Sequence, residues 1–197
     1  MASEKIERLI QQFRTNRTRF NAFCLSLSDE ELERPVPDST YRVIDFVSHL
    51  GTLDTVLSEQ FRSFASGNPE TLGQNADGTP FDIDNWNDEK VAKRRGWSLD
   101  EILEEASRNR EVFLEELSKL TDEQIDQTMH FAGDNKRDPA DIPFKLFLSG
   151  LARHDPIHVA DMVKALPERA ADPELRAWLG DSVVQWYQTT MAGPPKR

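Results

Sequence analysis

Apolar residues along this chain recur at helical steps almost throughout. Ile6, Leu9, Ile10, Phe13, Phe20, Phe23, Leu25 and Leu27 fall mostly three or four positions apart, which predicts a helix from Ser3 to Leu27. Ser28 with Glu31 forms a capping-box signature for a short turn, and the prolines of Arg34-Pro35-Val36-Pro37-Asp38-Ser39 interrupt the helical pattern. Val43, Phe46, Val47, Leu50, Leu53, Leu57, Phe61 and Phe64 predict a second helix, begun near Tyr41 and stopped at Ser66-Gly67. The stretch Gly67 to Asn85, rich in Gly, Pro, Asn and Asp, reads as a long loop, followed by a short helical piece over Trp86 to Lys93. Ser98 and Glu101 open a third helix expected to reach Leu120, with Ile102, Leu103, Ala106, Phe113 and Leu117 inward and a run of glutamates on the wet side. Thr121 with Gln124 repeats the cap, and Met129 to Ala140 shows no period. A fourth helix is expected from Asp141 to Leu166, and Asp172-Pro173 starts a last helix that includes Tyr187.

No strand-pairing or hairpin signal competes, so the expected class is all-α: a four-helix bundle with additional short helices and a C-terminal helix. We read residues 1–190 as a single domain and 191–197 as a disordered tail. The net charge of -11 argues against a sequence-independent grip on nucleic acid. There is no bilayer-length apolar run, and the amphipathic pattern begins without a signal-peptide core, so the expected location is cytoplasmic, with no membrane partner. The single cysteine, Cys24, leaves His and carboxylates as the ligands for any metal.

Three of the four histidines are placed where they can meet. His49 borders the apolar stripe of the second helix, and His154 and His158 are four residues apart on an inward row with Phe147, Leu151 and Met162. That i, i+4 spacing lets two imidazoles on one helix share an ion, and a third would leave one coordination position open. Pro156, between them, should either kink a continuous helix, the reading preferred here, or stand at the start of a new helix capped by Asp155, with His154 just outside it. Asp45 and Asp161 are candidates to orient ring N–H groups, although surface carboxylates are the commoner outcome. His130 falls in loop-like sequence and is set aside as solvated. Cys24 reads as a small buried apolar residue, and Lys93-Arg94-Arg95 as a solvated turn with some capacity to attract an anion.

The motif from Tyr41 to Leu50, with its capped start and His49, and the motif from Leu151 to Met162, with His154 and His158, resemble those of the DinB-like superfamily. Trp97 to Leu103, Arg110 and Leu120 to Glu123 add to the likeness, which covers nearly the whole chain. The resemblance implies a four-helix bundle, commonly a homodimer, with a divalent metal on His49, His154 and His158. Zinc or nickel stand foremost, and imidazole alone does not choose between them. Relatives with known chemistry include mycothiol-dependent maleylpyruvate isomerase and bacillithiol transferases. A metal-dependent enzyme that activates a low-molecular-weight thiol, or water, toward a small electrophile is therefore the first expectation. A non-catalytic dimeric bundle with a structural or vestigial site, and a metal-dependent hydrolase, are the alternatives.

Overall fold

The computed structural model describes residues 2–66, 74–75, 77–133 and 137–190. It is mostly helical, as expected. The first long helix, α1 (Glu4–Leu25), is capped by Ser3, whose side chain accepts from the Ile6 amide. The short α2 (Asp29–Leu32) carries the Ser28/Glu31 capping box. The predicted second helix is present in two pieces, α3 (Val43–Leu50) and α4 (Leu53–Ala65). They are followed by α5 (Ile83–Lys93), which starts earlier than Trp86, and by α6 (Leu99–Ser118), with its Ser98/Glu101 capping box. Residues 67–73 and 76 of the expected loop, and the expected tail 191–197, lie outside the described residues.

Beyond the short α7 (Asp122–Ile125), capped by Thr121 and Gln124, the structure corrects the reading of 129–143. Strands β1 (Thr128–Phe131) and β2 (Ala140–Pro143) pair antiparallel with Met129 opposite Ile142. Met129 and Phe131 point into the core while Thr128 and His130 face out, a two-residue alternation too short to stand out in sequence. The fourth helix therefore begins only at Phe144. It is also broken, into α8 (Phe144–Leu151) and α9 (His154–Val163). Last come α10 (Pro173–Leu179), with Asp172 as N-cap and Pro173 in its first turn, and α11 (Ser182–Thr190), separated at Gly180-Asp181 where one helix was expected.

The breaks within the expected second and fourth helices are stitched by side chains of neighbouring helices. At the α3–α4 junction, Arg17 of α1 donates to the Leu50 carbonyl at 3.1 Å and Asn109 of α6 to the Gly51 carbonyl at 2.9 Å. Gly51 is required there, because a Cβ on it would lie 2.8 Å from the Ala106 Cβ. At the α8–α9 junction Pro156 has no N–H to offer the Ala152 carbonyl, and the buried Asn16 amide donates to it instead at 2.6 Å. Asn16 in turn accepts from the Trp178 indole at 2.9 Å, tying α10 to the same point.

The core is two apolar clusters with a charged layer between them. One cluster holds Phe13, Leu57, Phe113 and Phe144, and the other Phe20, Leu50, Ile102 and Val159. Arg17 stands between Phe13 and Phe20 on α1, Asp54 between Leu50 and Leu57, Arg110 between Ile102 and Phe113, and Asp155 between Ala152 and Val159. All four are buried. Two cations meet two carboxylates, so the layer is neutral.

Candidate metal centre

His49 sits in the last turn of α3. That helix is started by the Asp45 carboxylate, which accepts from the Arg42 amide at 3.0 Å and from the Arg42 guanidinium at 3.0 and 3.1 Å. Asp45 is thus committed to the helix start and orients no histidine. His154 is the first residue of α9 and His158 lies one turn on. Neither form of the Pro156 expectation holds in full: the helix is broken before Arg153 rather than kinked at Pro156, and His154 is inside the new helix rather than outside it. Pro156 is in the first turn, where its missing N–H costs no intrahelical bond beyond the one Asn16 replaces.

The three rings converge. Ring centroids of His49 lie 5.4 Å from His154 and 5.0 Å from His158, and those of His154 and His158 are 4.6 Å apart. One ligand atom from each falls within 4.8 Å of the others, so the three could hold a metal ion. His154 Nε2 and His158 Nε2 are 3.1 Å apart. His158 Nδ1 is 3.1 Å from the Asp161 carboxylate; with the ring proton donated there, Nε2 keeps its lone pair for a cation. Asp161 also accepts from Lys164 at 2.8 Å and from Gln188 of α11 at 3.1 Å. Despite burial, the contact with His158 and these donors hold its carboxyl at about 2.

Burial first, then the neighbouring rings, disfavours protonation of the other two. His49 is held at about 3 by burial and by His158. His154 is well below its ordinary value because of burial, the other two histidines and the guanidinium groups of Arg110 and Arg17. Unprotonated imidazole is the form that binds a metal. Two buried atoms beside the cluster, His49 Nδ1 and Asn87 Oδ1, have no hydrogen-bond partner among the described residues. Asn87 favours the charged form of the ring by its proximity, but the pair does not reach hydrogen-bonding geometry. Phe46 packs on His158 with centroids 5.4 Å apart, and Tyr41 lies 6.3 Å from His49 with its hydroxyl donating to Asp88 at 2.7 Å. A donor set of imidazoles, with one ring oriented by a carboxylate and an orphaned nitrogen on another, fits a borderline divalent cation.

The remaining candidates lie elsewhere. His130 is on β1 with Nδ1 2.9 Å from Asp141, and its side chain is exposed, as expected, though on a strand. Cys24 is fully buried and its thiol is pushed up by burial. Of the basic run, Arg94 pairs with Glu105 and covers Trp97, so it is structural rather than free in solvent.

Sequence reasoning missed the charged layer that abuts the site. Arg17 donates to Asp155 at 2.9 and 3.1 Å, and Arg110 to Asp54 at 2.8 Å and to Asp155 at 3.4 Å. A signal existed: each of the four charges is in phase with the apolar stripe of its helix, Arg17 four residues after Phe13 and three before Phe20.

A helical bundle whose broken second and fourth helices bring three histidines together defines a class of protein with, among the described residues, one candidate cation site. The chain belongs to the DinB superfamily, whose sequence pattern matches residues 12–162. Its fold is similar to that of a crystal structure of the mycothiol-dependent maleylpyruvate isomerase, with a TM-score of 0.58 and 11% identity over 80% of this chain and 60% of that one. A histidine-to-alanine mutant of that enzyme matches equally, with a TM-score of 0.59. The chain thus spans less than two thirds of the length of those proteins. No curated protein sequence gives a significant match.

Proposed function

We propose that His49, His154 and His158 hold one divalent metal ion, zinc or nickel foremost, and that the chain is a metal-dependent enzyme joining a low-molecular-weight thiol to a small electrophile. The observation that carries this reading is the convergence of three imidazoles, one of them oriented by Asp161. When bound, such an ion supplies a Lewis acid that stabilises a thiolate at neutral pH. The protein's own part is to keep His49 and His154 unprotonated, to aim His158 through Asp161, and to wall the site with Phe46 and Tyr41. The similarity to a mycothiol-dependent isomerase supports a thiol as co-substrate. A homodimer belongs to the same proposal and is read from sedimentation of the metal-loaded protein.

The first test is metal analysis of protein purified without a histidine tag. One equivalent per chain is expected, falling to a small fraction in His158→Ala; no metal in either would remove the foundation. Turnover of small electrophiles that requires an added thiol then supports the enzyme. A second reading, a structural metal in a non-catalytic bundle, draws on the burial of His49 and on the way the three rings clip α3 to α9. Chelation that lowers the melting temperature, with no thiol-dependent turnover and no thiol binding, would decide for it.

A further inference from the structure

The three histidines come from α3 and α9, which pack directly on each other, and α1 reaches both. Arg17 of α1 hydrogen-bonds to both. Its Nη2 donates at 3.1 Å to the carbonyl of Leu50, the residue after His49, and at 2.9 Å to the carboxylate of Asp155, the residue after His154. Its Nε donates to the same carboxylate at 3.1 Å. One planar group is thereby fixed to the backbone beside one ring and to the side chain beside another. Both attachment points adjoin helix breaks, which leave backbone groups for side chains of other helices to satisfy.

Stability alone does not account for an arginine here. Burying a guanidinium with its carboxylates is costly, and apolar residues of similar volume would hold Phe13, Phe20 and their neighbours together at least as well. What an apolar residue cannot do is fix a distance and an angle between two backbones. A lysine would keep the charge, but its single ammonium could not supply the second bond, from Nε to Asp155, that fixes the plane of the group.

We propose that Arg17 is a positioning residue that sets His49 and His154 in register for a cation by bridging the Leu50 carbonyl and Asp155. The proposal rests on the metal-binding reading above. Arg110 donates to the same Asp155 oxygen as Arg17 Nη2 and, more closely, to Asp54, whose carboxylate lies 3.8 Å from that Nη2.

The test is cobalt(II) binding to the full chain, read both as affinity and as the visible ligand-field spectrum, in Arg17→Lys. We expect affinity to fall about 10- to 100-fold, in the range found when an orienting partner of a metal ligand is removed, and the ligand-field bands to move. Leu114→Ala, in the other apolar cluster, serves as the control for a general loss of stability and should keep the spectrum and affinity of the unaltered protein. If Arg17→Lys fails to fold, Asp155→Asn takes its place, with the same expected direction. Unaltered affinity and spectrum in the Arg17 or Asp155 variant would overturn the proposal, as would an equal loss in Leu114→Ala. Failure of the unaltered protein to bind cobalt(II) or zinc overturns the metal reading itself, a different result from normal binding that ignores Arg17.

Discussion

Glu31 has its carboxylate held by the Arg169 guanidinium at 2.7 and 2.8 Å and by the Ser28 amide at 2.8 Å, and these contacts lower its carboxyl to about 2. A carboxylate depressed by folding contributes stability that is complete above its ordinary value of 4.5 and is lost as pH falls toward about 2. Glu31→Gln should therefore lower stability at pH 7, by about 1 kcal/mol given the partly exposed partner, and the difference from the unaltered protein should shrink between pH 4.5 and 2. Urea midpoints across that range check it, and a constant difference would count against the ion pair. Single residues were unevenly legible. The Ser28/Glu31 box and the histidine spacing are local signals, visible in a few letters. Arg169 meeting Glu31, or Arg17 meeting Asp155, joins residues 138 positions apart, and no local pattern encodes that partner.

Among the elements, the two broken helices matter most for the site. Apolar spacing runs in phase across both breaks, so periodicity alone joined α3 to α4 and α8 to α9. The breaks depend on Asn16, Arg17 and Asn109, donors that reach in from other helices. Pro156→Ala separates an interior proline from one in a first turn. Relief of an interior proline would stabilise by about 3 kcal/mol. In the first turn the substitution should instead cost about 0.4–1 kcal/mol, because the unfolded chain regains freedom. Thermal or urea unfolding gives the sign directly, and marked stabilisation would show that Pro156 strains α9.

Across the whole molecule, the layer of Arg17, Asp54, Arg110 and Asp155 divides the two apolar clusters on all four bundle helices. Asp155→Ala strips the buried Arg17 guanidinium of its carboxylate hydrogen bonds, leaves Arg110 with Asp54 alone, and should cost about 3–5 kcal/mol. Replacing all four charges together by Met and Leu should be neutral or stabilising by up to about 4 kcal/mol, while losing cobalt(II) affinity. A quadruple variant less stable than Asp155→Ala alone would refute this balance. The same layer bears on the order of events in the cell. Arg17 and Asp155 are 138 positions apart. A chain still emerging from the ribosome can offer a metal only isolated histidines until α9 is made and docked. Any loading of the site would then be a late event in biogenesis, and a metal held by all three histidines would mark a chain whose folding is finished.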